Sequence, residues 1–340
     1  MITNGFFNAP YTIAEIGQAH DGSLGTAHAY IDAVAQAGAQ AIKFQTHYAE
    51  EESTPNEPWR IKFSTQDTTR FEYWKRMEFT PAQWIELADH AKSKGLDFMS
   101  SPFSLKAVNV LLDAGIDAWK IASGEVNNIL LLEAISETGL PVILSTGMSP
   151  FSETRKALKV LQKNGSDVLI MQCTSSYPVE PQQLGLNLIQ EFRDVFNVPV
   201  GLSDHSGNIY SSLAAYALGA VAAEVHVTLS KEAFGPDVTA SLTLEQLGDL
   251  VAGSQWIHTA ISNPVDKDGI VENFLELRKI FMKSFVARIQ IPRGKVIDLE
   301  DIAVKKPATG ISASEPEKVL GRVAARDIPE STVLTDGDIE

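Results

Sequence analysis

The sequence predicts an α/β fold: a closed (β/α)8 TIM barrel followed by a small β-rich domain. Three observations carry that expectation. Eight short apolar runs rich in β-branched residues recur between residues 11 and 228, amphipathic helix-like stretches lie between them, and a segment near the C-terminus repeats itself.

The runs are YTIAEIG (11–17), AIKFQTH (41–47), DFMSSPF (97–103), AWKIASGE (118–125), PVILSTG (141–147), VLIMQCTSSYP (168–178), VPVGLSDH (198–205) and AAEVHVT (222–228). Near-continuous apolar strands of this kind are those of a parallel sheet buried on both faces. Between them, TAHAYIDAVAQAGA (26–39), TPAQWIELADHAKSKG (80–95) and TRKALKVLQKNG (154–165) have helical spacing, with glycine near the end of each helix-like stretch. A barrel of this class occupies about 250 residues, which residues 11–262 supply. A doubly wound open sheet does not ordinarily need eight uniform units, and no GxGxxG turn is present.

Residues 48–79 break the periodicity with charges, prolines and aromatics and read as a long loop after the second strand, either a lid or specificity element or an insertion with no chemical role. The expected domain division is therefore a barrel over 1–262, a linker with a connecting helix over 263–284, and a β-rich domain over 285–340. Within the last, IPRGKVIDLEDI (291–302) and IPESTVLTDGDI (328–339) repeat at an offset of 37 residues and read as two hairpin-like units. So small a domain needs another surface to pack against.

A formal charge of -15 argues against a nucleic-acid or anionic-membrane partner, because polyanions are repelled. Cys173 is the only cysteine, which excludes an intrachain disulfide and points to a reducing cytoplasm. It reads as a small packing residue rather than a nucleophile. The start, MITNGFFNAPYT, lacks the basic and apolar regions of a signal peptide, and no apolar run approaches the roughly 20 residues that span a bilayer.

In a (β/α)8 barrel the strand ends converge on one rim, where function concentrates. His205 and His226 are separated by 21 residues, about one βα unit, so adjacent strands bring both imidazoles to that rim. Such a pair suits manganese, cobalt, iron or zinc, with positions left open for substrate; each histidine alone reads equally as a hydrogen-bonded structural residue. Lys43 and Lys120 lie inside apolar strands, where an ammonium needs an anion. With Ser101, Ser123, Ser145 and Ser203 they can form a pocket for a small phosphorylated acid. Alternatively they pair with Glu15 and Glu125 in a structural network, or Lys120 is a Schiff-base nucleophile, as in barrel aldolases.

The motifs AEIGQAHDGSL, IKFQTH, SSPFS, WKIASGE, STGM, CTSSYP, GLSDHSGN, EVH and FGPD, in this order, resemble the N-acetylneuraminate (sialic acid) synthase family. VKKPATGI and the repeat beyond it are similar to that family's antifreeze-like, or SAF, domain. The resemblance implies a condensation of phosphoenolpyruvate with the open-chain aldehyde of an N-acyl hexosamine, giving a nonulosonic acid and phosphate by C–O cleavage. It implies that His205 and His226 bind a divalent metal, Mn2+ first, with Mg2+ or Co2+ as alternatives. Lys43, Ser101, Lys120, Ser123, Ser145 and Ser203 then resemble phosphoenolpyruvate ligands. Glu15 and Glu125, with Lys120, resemble the catalytic groups, and Gln45, Tyr177 and Asp237 resemble sugar contacts. Two departures bear on the sugar. Ala19 stands where the family often has Asn, and Lys306 in KKPA replaces an arginine that reaches the sugar's N-acyl group in the partner subunit's site. The resemblance also implies a domain-swapped homodimer. The competing readings are the Lys120 aldolase and a non-catalytic carbohydrate-binding protein.

Overall fold

The computed structural model describes residues 7–340, so the first six residues of the N-terminal segment lie outside the described residues. The chain divides into two compact units, one ending at Asn263 and one running Pro264–Glu340.

In the first unit eight parallel strands follow chain order: β1 (Tyr11–Gly17), β2 (Ala41–Thr46), β3 (Asp97–Pro102), β4 (Ala118–Ile121), β5 (Val142–Ser145), β6 (Val168–Cys173), β7 (Val200–Asp204) and β8 (Ala222–Thr228). β8 returns to β1, with Ile13 opposite Glu224 and Glu15 opposite His226, and this pairing closes the barrel. A two-residue strand β9 (Leu242–Thr243) extends from β8. Helices stand at Leu24–Ala37, Pro81–Ser93 and Phe151–Leu161, where the periodicity places them. Ser23 and Thr80 cap the first two by accepting from backbone N–H groups, and Gly38 in a left-handed conformation ends the first.

Strand alternation sorts the barrel residues onto two faces. Ala14, Ile42, Phe44, Trp119, Leu144, Ile170 and Leu202 face outward into the main core. Ile13, Ala41, Met99, Ala118, Ile143, Met171 and Ala222 form a separate apolar cluster, on the other face of the pleat. Two residues further along those same strands stand Glu15, Lys43, Ser101, Lys120, Ser145, Cys173 and Glu224, all lining one cavity. The apolar cluster therefore supports a polar layer one pleat repeat above it. Gly201 occupies the matching position on β7 because a Cβ there would meet the Ala222 carbonyl oxygen at 2.6 Å.

Residues 48–79 are not the uninterrupted loop that their composition implies. They contain helices at Ala49–Glu52 and Arg70–Met77, the second opened by a capping box between Thr69 and Glu72. The charge and proline content that masks the periodicity sits between these short helices.

In the second unit a 3-10 stretch, Gly269–Phe274, leads into a helix at Leu275–Phe281. Strands β10 (Ser284–Ala287) and β11 (Ile302–Lys305) pair antiparallel. The repeats are not two independent hairpins: they pair with each other, Ile291 against Ile328, through reciprocal backbone bonds of 2.8 Å. The 37-residue offset carries Ala287–Ile302 onto Ala324–Ile339, and Val296–Val323 onto Val333–Val286, so the repeat is a pseudo-two-fold about that contact. Asp301 and Asp338 are an equivalent pair, each 1% exposed and each accepting from the backbone N–H of Asp298 or Thr335.

Candidate active site

The cavity at the C-terminal ends of the strands has a volume of about 360 Å³. Its floor is a buried charge cluster. Lys43 Nζ lies 2.6 Å from Glu15 Oε2 and 3.6 Å from Glu224 Oε1, and it donates to Ser101 Oγ at 3.3 Å. Lys120 Nζ lies 2.5 Å from Glu224 Oε2, and Ser203 Oγ donates to Glu224 Oε1 at 3.4 Å. Both ammoniums are at most 3% exposed, so each needs its carboxylate.

Burial pulls the Lys43 ammonium down, but Glu15 and Glu224 outweigh it and hold Lys43 above the ordinary lysine range. Burial pushes the Glu224 carboxyl up, and the Lys120 and Lys43 ammoniums reverse that and hold it below the ordinary carboxylate range. Lys120 is drawn below the ordinary range by burial, which Glu224 opposes. Ser145 Oγ is buried beside this cluster with no hydrogen-bond partner among the described residues. Ser123 Oγ accepts from the Gly147 N–H at 3.0 Å and donates to Cys173 Sγ at 3.8 Å, a weak bond that an anionic acceptor can displace. Burial raises the Cys173 thiol, in keeping with a packing role.

His205 and His226 rise on one side, their ring centroids 5.4 Å apart. His205 Nδ1 lies 2.8 Å from the Thr174 carbonyl oxygen, which can only accept; Nδ1 therefore carries the proton and Nε2 keeps its lone pair. Burial, then the neighbouring His226, lowers His205 to about 3, so the ring is neutral at physiological pH. Tyr177 stacks on it at 4.1 Å. Asp204, the residue before His205, turns instead to the following loop and helix, accepting from Ser206 N at 2.8 Å and Ser212 Oγ at 2.9 Å. The Asp-His dipeptide thus divides between a loop anchor and a cavity group.

Gln45, Tyr177 and Asp237 also line the cavity. Gln45 Nε2 donates to Glu15 Oε1 at 2.7 Å. The bulge that ends β1 between Glu15 and Gly17 leaves Gly17 at φ 54°, with the space for a Cβ lying 3.4–3.6 Å from Gln45, Glu15 and His226. Asp237 Oδ1 accepts from Arg60 Nη2 at 2.9 Å, and the same guanidinium lies 4.4 Å from the centre of the Tyr177 ring.

Two sequence candidates stand elsewhere. Glu125 does not line the cavity; its Oε2 accepts from Asn128 at 2.8 Å, and burial raises its pKa. The network alternative of Glu15 and Glu125 is accordingly half realised, since Glu15 pairs with Lys43 whereas Lys120 takes Glu224. Lys306 belongs to the second unit, its ammonium 4.9 Å from the Phe281 ring centre.

Sequence reasoning assigned no role to Glu224, although its spacing of two from His226 puts both on one strand face. It also left open which residues of the 48–79 insertion reach the cavity. Trp59, Arg60, Ile61 and Phe63 do so from the stretch between its helices, and Arg70, Tyr73 and Trp74 from the helix Arg70–Met77.

Comparison with known proteins identifies the family of the chain. The chain is 34% identical to N,N'-diacetyllegionaminic acid synthase of Campylobacter jejuni, covering 95% of this chain and 98% of the relative. It is 31% identical to human N-acetylneuraminate-9-phosphate synthase over 87% of this chain and 82% of that one. The crystal structure of N-acetylneuraminic acid (sialic acid) synthetase from Leptospira borgpetersenii in complex with citrate matches with a TM-score of 0.70 and 31% identity, over 82% of this chain and 97% of that one. The SAF domain model matches residues 283–340 and the NeuB family model residues 30–266; the chain belongs to the NeuB family and carries a C-terminal SAF domain.

Proposed function

We propose that this protein joins phosphoenolpyruvate to the open-chain aldehyde of an N-acyl amino sugar, N-acetylmannosamine or a diacetamido-trideoxyhexose, releasing phosphate and a nonulosonic acid. One observation supports this above the rest: two buried lysines and the unpartnered Ser145 hydroxyl share a cavity with the neutral His205 and, beside it, His226. The relatives named as synthases of legionaminic and N-acetylneuraminate-type acids point the same way.

Lys43, Lys120, Ser101, Ser123, Ser145 and Ser203 supply fixed cations and hydroxyl donors for the phosphate and carboxylate of phosphoenolpyruvate. Carbon 3 of the enol attacks the aldehyde carbon, water adds to the cation left at carbon 2, and the C–O bond to phosphate breaks. Glu15, held by Lys43 and Gln45, is the carboxylate within reach to move a proton in the addition of water. Tyr177, Asp237 and Gln45 orient the sugar.

His205 and His226 would hold a divalent cation, Mn2+ foremost. Their rings lie side by side with centroids 5.4 Å apart, and the Thr174 carbonyl leaves the His205 Nε2 lone pair available, so the two imidazoles would suit a shared cation. Among the described residues no group of three or more His, Cys, Asp or Glu is arranged for a metal, so substrate oxygens and water would complete the coordination. Such an ion supplies Lewis-acid polarisation of the aldehyde oxygen. No helix among the described residues is long and apolar enough to cross a membrane. We place the enzyme in the cytoplasm, as a homodimer in which residues 285–340 of one chain serve its partner.

The test is phosphate release from phosphoenolpyruvate with each candidate sugar and Mn2+. Release dependent on both sugar and cation supports the reading; full activity after EDTA removes the metal. Borohydride trapping of pyruvate on Lys120 would replace the reading with an aldolase.

A further inference from the structure

The 48–79 insertion reaches the floor of the cavity through one histidine that the proposed chemistry does not use. His47, just beyond β2, is 4% exposed and lies between two rings, Trp74 at 4.0 Å and Phe103 at 4.4 Å, both nearly parallel to it. Trp74 belongs to the insertion helix Arg70–Met77. In the ring plane, His47 Nδ1 lies 2.6 Å from Oε1 of Glu52, in the other insertion helix, and Nε2 lies 3.3 Å from Gln45 Oε1.

The chain of donors runs in one direction. Glu15 Oε1 accepts from Gln45 Nε2 at 2.7 Å, so Gln45 turns its carbonyl the other way, toward Gln18 Nε2 at 3.3 Å and His47 Nε2. His47 must therefore carry a proton on Nε2, and the short contact to Glu52 needs a proton as well. The stacked rings prevent the imidazole from swinging out, and Glu52 prevents it from turning over. Without that N–H, Gln45 loses one of two donors on its carbonyl and is freer to flip, which would set its oxygen against the Glu15 carboxylate.

We propose that His47 is a positioning residue for Glu15, fixing the Gln45 amide that holds the carboxylate, and that the insertion acts on the reaction through this contact. The inference rests on the catalytic role of Glu15 proposed above. The charged and titratable groups around His47 are Glu52, in contact, and Glu125 and His20, within electrostatic reach.

The experiment compares full-length wild type, His47→Phe and His47→Gln for sugar-dependent phosphate release across pH, with melting temperatures. Phenylalanine keeps the ring sandwich but has no N–H, whereas glutamine restores a donor of similar reach. The expected result is a kcat about tenfold lower for His47→Phe, at unchanged KM for phosphoenolpyruvate, with its acid limb displaced. His47→Gln should recover most of the rate. Wild-type rates and pH profiles in both variants would overturn the proposal. So would an equal loss in both variants that follows a lowered melting temperature with the pH profile intact. Absence of sugar-dependent release in wild type would instead overturn the function on which the inference rests.

Discussion

Replacing Glu224 by glutamine preserves shape but deletes one charge from a floor in which two ammoniums face two carboxylates. Coulomb's law at an effective dielectric of about 20 gives ~6–7 kcal/mol at the 2.5 Å separation from Lys120 and ~4–5 kcal/mol at the 3.6 Å separation from Lys43. Relief of the buried carboxylate's desolvation returns a large part of that, and breaking such pairs from one side costs about 3–5 kcal/mol. For a barrel of this size each kcal/mol is worth ~2–4 °C, so Glu224→Gln should lower the melting temperature by roughly 6–20 °C. The variant floor carries an excess positive charge that a bound anion compensates. Phosphoenolpyruvate should therefore raise the melting temperature of Glu224→Gln by more than it raises that of wild type. Differential scanning fluorimetry with and without the ligand reads both effects. A melting temperature within about 2 °C of wild type, or equal ligand shifts in the two proteins, would refute the idea that Glu224 is the counter-ion binding both lysines in place.

The second unit offers two further tests. Ser331 holds φ 64° where its repeat partner Gly294 holds φ 82°, so Ser331→Gly should relieve about 0.5–1 kcal/mol of backbone cost. Amide exchange over residues 283–340 in the full chain should slow by about two- to fivefold; unchanged or faster exchange would count against it. Asp338 is lowered because hydrogen bonds from Thr335 and Arg326 overcome the upward push of burial. A depressed folded value adds stability above the ordinary carboxylate pKa near 4 that is lost as pH falls through the folded value. Asp338→Asn should thus lower stability at neutral pH and flatten its decline in acid, with Asp301, also lowered, keeping part of that decline. A decline as steep as in wild type would reject the assignment.

Much of the barrel was legible because its signals are local. A strand buried on both faces must be apolar along its length, and each of the eight runs met that demand independently. The same alternation made Lys43, Lys120 and the serines conspicuous, as polar residues where an apolar strand should continue. The histidines were legible as a pair because the βα unit sets a fixed spacing. Residues 48–79 were less so. The helix Arg70–Met77 has a capping box, but Trp74 within it and Phe63 before it are placed by ring contacts with His47 and Phe234, and such contacts leave no period in the sequence.

By itself, then, the sequence determined the eight strand ends and the polar residues they carry, together with the 37-residue repeat, because pleat alternation and helix periodicity act over a few neighbours. Only the tertiary structure decided who pairs with whom. It gave Lys120 to Glu224, 104 residues away, and left Glu125 outside the cavity. It made the two repeats partners across a pseudo-two-fold and joined the insertion to Glu15 through His47 and Gln45. Closing β8 onto β1 brings Glu224 into one layer with Lys43 and Lys120, and which carboxylate a buried ammonium takes is settled by that three-dimensional proximity, which sequence spacing does not record.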